Sequence, residues 1–195
     1  MNAGEGIPEK GVEDIRLMLR VKNGDDAAFE ELVAKHRDRT VNLIFHIVGN
    51  AEEAEDLAQE AFLRVYKARD RYEPVAQFTT WLYRISYNLA LSQRRKAARR
   101  PESLSESAVS PQPTPETELT SRETVRAVWD ALHKLPENQR TALVLTRMEE
   151  CSYEEAAKVM DTTSAAIRSL VSRARETLRH QLRRTIETTP SRGDE

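Results

Sequence analysis

The 195-residue chain has one cysteine, Cys151, so it cannot close an internal disulfide. Its four histidines, His36, His46, His133 and His180, are too scattered to form a metal-ligand spacing with that thiol, which argues against a zinc site and leaves no cofactor implied. With 6 glycines, 8 prolines and 6% aromatic residues, the composition is helix-prone and unsuited to a large sheet enzyme. No run approaches the roughly 18 to 20 apolar residues that cross a bilayer. The segment from Met1 to Gly11 lacks the cationic and apolar regions of a secretory signal, so a cytoplasmic protein without membrane insertion is expected.

A strong excess of one charge is missing as well. The formal net charge is −2, which argues mildly against a polyanionic partner. The sum conceals a pattern. Residues 52 to 60 hold five acids (Glu52, Glu53, Glu55, Asp56, Glu60) and no base, whereas 61 to 100 hold ten bases against Asp70 and Glu73. Residues 101 to 120 carry four acids and no base, and 164 to 184 carry six arginines against Glu176. Alternating blocks of opposite sign allow separate surfaces for partners of opposite charge.

Apolar periodicity stops between Ala98 and Thr120, where Ser, Pro and Glu dominate, notably in Ser110-Pro-Gln-Pro-Thr-Pro-Glu. This predicts a linker over 98–120 between two helical blocks, 1–97 and 121–188, with a short tail over 189–195. Each block is small for a core of its own. In the first, Ile15 and Leu19 mark a helix stopped by Asn23-Gly24, and a longer helix from Phe29 through Val48 ends at Gly49. Asn50 with Glu53 starts a third helix, carrying Ala54, Leu57, Ala58, Ala61, Phe62 and Val65 on one face. After the turn Tyr72-Glu-Pro-Val, a fourth carries Phe78, Trp81, Leu82, Ile85 and Leu89, with Arg94, Arg95, Lys96, Arg99 and Arg100 at its C-terminal end.

The second block opens on a Thr120/Glu123 capping box followed by Val125, Val128, Trp129 and Leu132 on one face. Pro136 suits the first turn of a helix running through Ala142, Leu145 and Met148. Ser152 with Glu155 caps a short helix. After Asp161-Thr162-Thr163, a last helix from about Ser164 to Arg183 turns Ile167, Leu170, Ala174 and Leu178 inward. The predicted fold class is therefore all-α, in two small helical domains.

Segment 152–179 has the layout of a helix-turn-helix: a capped short helix, a three-residue turn and a longer arginine-rich amphipathic helix. Small Ala156, Ala157 and Ala166 permit close crossing, and Ser164, Ala165, Arg168, Ser169 and Ser172 form an exposed N-terminal half able to enter a major groove. Arg holds guanine bidentately, and Ser serves base or phosphate. Asp161 stands where glycine is common in such turns, but Asp tolerates left-handed backbone.

Asp56, Gln59, Glu60 and Leu63 share the helical face opposite the apolar stripe. Spacing alone leaves this either a solvated acidic face or a docking surface for a basic protein. A Mg²⁺ site finds little support on a bare helix face. From Tyr72 to Arg100, Phe78, Trp81, Tyr83 and Tyr87 interleave with Arg84, Asn88, Arg94 and Arg95, which suits single-stranded nucleic acid. Base stacking on aromatics is worth about 1 to 3 kcal/mol, comparable with the cost of extruding a base. Phe78 and Trp81 lie on the apolar stripe and are the more core-like; Tyr83, Tyr87 and Asn88 point the other way.

These residues resemble the extracytoplasmic-function sigma factors, the minimal two-domain group of the sigma-70 family of RNA polymerase specificity subunits, over about residues 12 to 185. Asp56-Leu-Ala-Gln-Glu-Ala-Phe-Leu-Arg-Val is similar to the polymerase-binding helix of region 2. Phe78-Thr-Thr-Trp-Leu-Tyr-Arg-Ile-Ser-Tyr-Asn is similar to its DNA-melting segment, and Leu132-His-Lys-Leu-Pro-Glu-Asn-Gln-Arg through Arg175 to region 4. The resemblance implies a non-enzymatic initiation factor, an alternative sigma of the stress or envelope type, that binds core RNA polymerase and reads −10 and −35 promoter elements.

It further implies that Asp56, Gln59, Glu60 and Leu63 grip the β′ clamp helices, with the β subunit as a further contact. Tyr72, Phe78, Thr79, Tyr83, Tyr87, Asn88, Arg94 and Arg95 would meet DNA around the −10 element, the Tyr72–Thr79 loop pocketing a flipped base. Ser164, Ala165, Arg168, Ser169, Ser172 and Arg173 would face the −35 element, with helix geometry able to aim Arg173 at phosphate instead. An anti-sigma factor is an expected partner.

Promoter elements about 17 base pairs apart lie near 58 Å at roughly 3.4 Å per pair. A linker of about 23 residues reaches about 75 Å when extended but averages about 26 Å as a coil. It would span the elements only if held extended on the polymerase, along the path the family resemblance places near the RNA exit channel, and the free protein is expected to bind promoters weakly. The rival readings are a stand-alone helix-turn-helix regulator, which shows no dimer seam here, and a metal-dependent hydrolase, which lacks a nucleophile and a phosphate loop.

Overall fold

The computed structural model describes residues 11–99 and 127–188, and among them every regular element is helical. Most of the expected linker, and the Thr120/Glu123 cap, lie outside the described residues.

The N-terminal block comprises α1 (Val12–Lys22), α2 (Asp26–Val48), α3 (Ala51–Lys67), a 3₁₀ turn (Arg69–Arg71) and α4 (Phe78–Ala98). Its boundaries have local causes. Asp25 accepts the backbone N–H of Ala28 at 3.1 Å and so starts α2. Gly49 ends it at φ 80°, in left-handed backbone that costs glycine nothing. Asn50 then accepts Glu53 N–H at 2.9 Å and opens α3, as the Asn50/Glu53 spacing predicts. The central α2 packs against α1, α3 and α4. Met18, Leu32, Leu43, Ile44 and Leu82 are fully covered between them.

One buried ionic group ties α1 to α2. Asp14 lies 2.8 Å from Lys35 Nζ and 3.0 Å from His36 Nε2. Burial alone would raise the Asp14 carboxyl, but these two partners more than offset it and hold its pKa below the usual carboxylate value.

The C-terminal block comprises α5, described over 127–133, α6 (Glu137–Arg147), α7 (Tyr153–Met160) and α8 (Ser164–Thr188). Pro136 immediately precedes α6 in extended backbone. Helix α8 buries Ile167, Val171 and Ala174 against α6 and α7. The expected inward set needs adjustment: Val171 is core whereas Leu170 and Leu178 are only half-buried, Met148 caps α6 from an exposed position, and Val128 is also exposed.

The two blocks do not stand apart. Helix α6 packs on α2 and α7 packs on α4, and the buried apolar residues of both blocks form one continuous cluster. Two cores too small to stand comfortably alone share their edges.

Candidate nucleic-acid interface

The helix-turn-helix is built by three local devices. Ser152 Oγ accepts Glu155 N–H at 3.1 Å while Glu155 Oε2 accepts Ser152 N–H at 2.7 Å, a reciprocal capping box at the start of α7. Asp161 ends α7 in left-handed backbone at φ 52°, the geometry its position requires. Thr163 Oγ1 then accepts Ala166 N–H at 3.2 Å and starts α8, a cap the sequence reading places no residue in.

With Ile167, Val171 and Ala174 turned inward, Ala165, Arg168, Ser169, Ser172 and Arg173 are left exposed, and Ser164 is half-buried. These six line one open groove of about 500 Å³. The Arg168 guanidinium lies 5.6 Å from the centre of the Tyr153 ring, so α7 supports it from behind. Free N–H groups at the start of α8, with Arg168 and Arg173 beyond them, make an anion-attracting edge with hydrogen-bonding side chains between.

The acidic face of α3 is also open. Ala54, Ala58, Ala61, Phe62 and Val65 turn inward, which leaves Asp56 and Gln59 exposed and Leu63 50% exposed. Glu60 accepts from Arg64 Nε at 2.8 Å, and that hydrogen bond holds its carboxyl below the usual range. Leu63 thus forms an exposed apolar spot at the edge of this acidic face, next to Gln59 and Glu60 on one side and Tyr66 and Lys67 on the other.

Helix α4 is different. Leu82 and Phe78 lie in the N-terminal core, Phe78 fully covered, and Trp81 is half-buried with its ring 5.3 Å from that of Tyr72. The backbone before α4 is anchored by Lys22 Nζ, which donates to the Tyr72 carbonyl at 2.9 Å. Burial pushes the Tyr72 hydroxyl up to about 12, so it stays protonated. A cleft of about 560 Å³ opens beside it, walled by Arg71, Tyr72, Val75, Trp81 and Arg84 and, from α7, Lys158. Val75 is 84% exposed at its rim. Thr79 is half-buried but does not line the cleft, whose threonine is Thr80, while Asn88 and Arg95 are exposed.

Two expectations for α4 are corrected here. Phe78 presents no surface, because it fills the core where α4 meets α2. Tyr83, expected on an open face, is only 1% exposed. The C-terminal block covers it, and its hydroxyl donates to the buried Glu149 carboxylate at 2.8 Å. Burial and that carboxylate raise the Tyr83 hydroxyl far above its ordinary value; burial likewise raises Glu149, against the hydrogen bonds from Tyr83 and Asn42. Tyr87 is half-buried, and Arg94 donates to the Ile47 carbonyl at 3.2 Å and pairs with Glu137 of α6 at 2.6 Å.

Sequence reasoning missed the groups that hold the blocks together. His46 of α2 stacks on Trp129 of α5 at 4.7 Å and 13°, and Trp129 stacks on His133 at 4.8 Å and 17°. Phe45 meets the Trp129 ring edge-on at 5.2 Å. Neither ring nitrogen of His46 has a hydrogen-bond partner. Burial, reinforced by His133 and Arg140, pushes His46 down to about 4. No spacing could have found this stack, because its members come from helices about eighty residues apart in the chain.

Comparison with known proteins agrees with this arrangement. Residues 32–100 match the family model "Sigma-70 region 2" and residues 125–178 match "Sigma-70, region 4". The chain is 34% identical over 180 residues to the ECF RNA polymerase sigma-E factor of Haemophilus influenzae, covering 87% of this chain and 95% of that protein. It is 33% identical over 177 residues to the ECF RNA polymerase sigma factor SigW of Bacillus subtilis, covering 84% and 94%. Among solved structures, the sigma factor RpoE of Bartonella quintana, in complex with the anti-sigma factor NepR, superposes with a TM-score of 0.69 at 27% identity, covering 80% of this chain and 96% of that one. An acidic helix, an aromatic and basic helix and a helix-turn-helix thus occur in the order of sigma regions 2 and 4, and the chain belongs to the ECF RNA polymerase sigma factors, which direct transcription initiation at promoters.

Proposed function

We propose that the three surfaces divide the work of initiation. Asp56, Gln59, Glu60 and Leu63 on α3 dock the chain to the β′ clamp helices of core polymerase. Tyr72, Thr79, Tyr87, Asn88, Arg94 and Arg95 serve the melted −10 strand, with the cleft beside Trp81 receiving a flipped base and Tyr83 joining this surface once uncovered. Ser164, Ala165, Arg168, Ser169, Ser172 and Arg173 face the −35 element, where bidentate arginine contacts give base discrimination. The segments 1–97 and 121–188 act as two working units, with 98–120 as the linker between them and 189–195 as a tail. The protein performs no bond chemistry. An anti-sigma factor is proposed as its regulator, in keeping with the solved complex of the Bartonella relative.

The observation that carries this reading is the exposure of Leu63 within the Asp56–Glu60 face, together with an open basic groove on α8. A stand-alone regulator would need no such docking helix. Run-off transcription with purified core polymerase on promoter fragments tests the reading: specific starts should require both components. Charge reversal by Asp56→Arg should weaken holoenzyme formation at least about tenfold with the helical content unchanged. An unaltered affinity would return α3 to the status of a solvated acidic face.

A further inference from the structure

The segment between the 3₁₀ turn and α4 carries the most exposed large apolar side chain among the described residues. Val75 is 84% exposed, against 50% for Leu63 and 46% for Met148. A single apolar side chain in water is ordinary on a protein surface. This one differs in how firmly it is held. Val75 N–H donates to the Glu73 carbonyl at 2.8 Å, closing a three-residue turn with Pro74 at its centre. The proline ring fixes the backbone at that centre, and β-branching leaves Val75 few rotamers. Upstream, the Tyr72 side chain is buried and its carbonyl accepts from Lys22 Nζ of α1 at 2.9 Å. Downstream, Phe78 enters the core. The apolar tip thus stands out from a segment pinned at both ends.

Its surroundings are equally particular. Val75 lies at the rim of the cleft of about 560 Å³ that has Trp81 in its wall. Arg71, Arg84 and Lys158 line the same cleft against one acid, Glu73, and all three bases are exposed. A rigid apolar knob is therefore set between an aromatic recess and cations able to meet phosphate.

We propose that Val75 is a strand-separating wedge: as one base of the −10 strand turns into the cleft, Val75 covers the face of the base next to it and keeps the gap in the stack from closing. This rests on the reading of the cleft given above. A flipped base leaves its neighbour with an uncovered apolar face, and the loss of that stacking is the main cost of extrusion. Apolar side chains inserted at a base step offset such a cost. Val75 leaves water in the same event, and its stiff side chain and fixed turn lose little conformational freedom by doing so. The isopropyl group donates and accepts no hydrogen bond, so it promotes opening whichever base lies against it. Choice of sequence then falls to the cleft, and the work of separation to its rim.

The test uses holoenzyme assembled from core polymerase and the full chain, on a promoter fragment that gives a specific start. The fragment is prepared as a duplex with 2-aminopurine in the −10 element, and again with that element mismatched and so already open. Val75→Ser should slow opening of the duplex about tenfold, read as the rise in 2-aminopurine fluorescence. Val75→Ile should stay within about twofold of the parent. On the mismatched fragment all three proteins should bind within about twofold of one another. Thermal unfolding should not change, since Val75 is exposed.

Opening of the duplex by Val75→Ser at the parent's rate would overturn the wedge. So would an equal loss on the duplex and the mismatched fragment, which would make Val75 a strand contact that takes no part in opening. Abasic sites placed one at a time in the mismatched −10 strand test the cleft separately. One sensitive position with unchanged opening by Val75→Ser leaves the cleft standing and removes the wedge. If no position is sensitive, no base is held, and the reading of the cleft fails together with the wedge that rests on it.

Discussion

Helices α8 and α4 are both amphipathic, both carry arginines on a polar face, and both are assigned to DNA, yet they meet solvent in opposite ways. The outward side chains of α8 stand around an open groove with only Tyr153 behind Arg168. On α4 the corresponding face is covered in part: Tyr83 is buried and bonded to Glu149 and Arg94 is paired with Glu137, while Asn88 and Arg95 stay exposed. The same class of surface is displayed whole on one helix and only in part on the other. Charge and periodicity therefore identify a nucleic-acid face, whereas tertiary packing decides whether it is available.

The contrast is broken most severely by removing what α4 shares with the core. Phe78→Ala should cost about 3 to 5 kcal/mol, because it leaves a ring-sized cavity under the helix. Thermal unfolding followed by circular dichroism checks this; a loss below about 1 kcal/mol would place Phe78 outside the core and restore it as a candidate for DNA. On α8 the opposite is expected. Arg168→Ala should leave stability within about 0.5 kcal/mol and cost roughly 1 to 3 kcal/mol in discrimination among −35 sequences in the polymerase-bound state. Equal loss on every sequence would show that Arg168 touches phosphate only.

The smallest effect sharpens the comparison through pH. His46 is pushed down to about 4 in the closed chain and returns towards its ordinary 6.5 when Trp129 and His133 leave it. A group depressed by closing favours the closed state when neutral. Closure is therefore strongest above about pH 6.5 and weakens as pH falls towards about 4, by about tenfold, or 1.4 kcal/mol, at pH 5.5 for this one group.

His133, also depressed by burial and by Arg140, acts in the same direction. Glu149 opposes them, since burial raises it and protonation then favours the closed form. Of the remaining charges at this face, Arg94 and Glu137 form a pair, and Arg140, although depressed by burial, stays charged across this range. Glu149→Gln should therefore unmask the histidines: in that background, with Cys151→Ser and dyes on Glu52→Cys and Glu176→Cys, both exposed positions, the distance between the dyes should lengthen on going from pH 7.5 to 5.5. No lengthening would mean that His46 is not uncovered when the blocks part.

The helices of both blocks were readable in the sequence because their causes are local. The Asn50–Glu53 and Ser152–Glu155 spacings, Gly49 after an apolar run, and Asp161 in a tight turn each settle a boundary within a few residues. The α8 groove was legible for the same reason, since one side of that helix is apolar and the other arginine-rich. The α4 surface was legible only in part. Phe78 and Tyr83 look alike to a pattern of aromatics among bases, and only the long-range packing of α4 against α2 and α7 separates a core ring from a covered one. The His46–Trp129–His133 stack was invisible, because contact between helices that are distant in the chain leaves no period in the sequence.

The pairing of Arg94 with Glu137 has a further consequence, for ionic strength. A strand phosphate arriving at a free arginine releases condensed counterions, and dilution of salt drives binding. Here the arriving phosphate exchanges for a carboxylate that the chain itself supplies, so Arg94 adds little to the salt slope of strand binding while the blocks are docked. The acid on α6 acts as an internal decoy for nucleic acid, at an effective concentration set by the tether rather than by the cell. Loose association with the bulk of chromosomal DNA, which is driven almost wholly by counterion release, is correspondingly blunted at Arg94, while Arg84, Arg95 and Lys96 of the same helix, and Arg99 at its end, stay exposed to it.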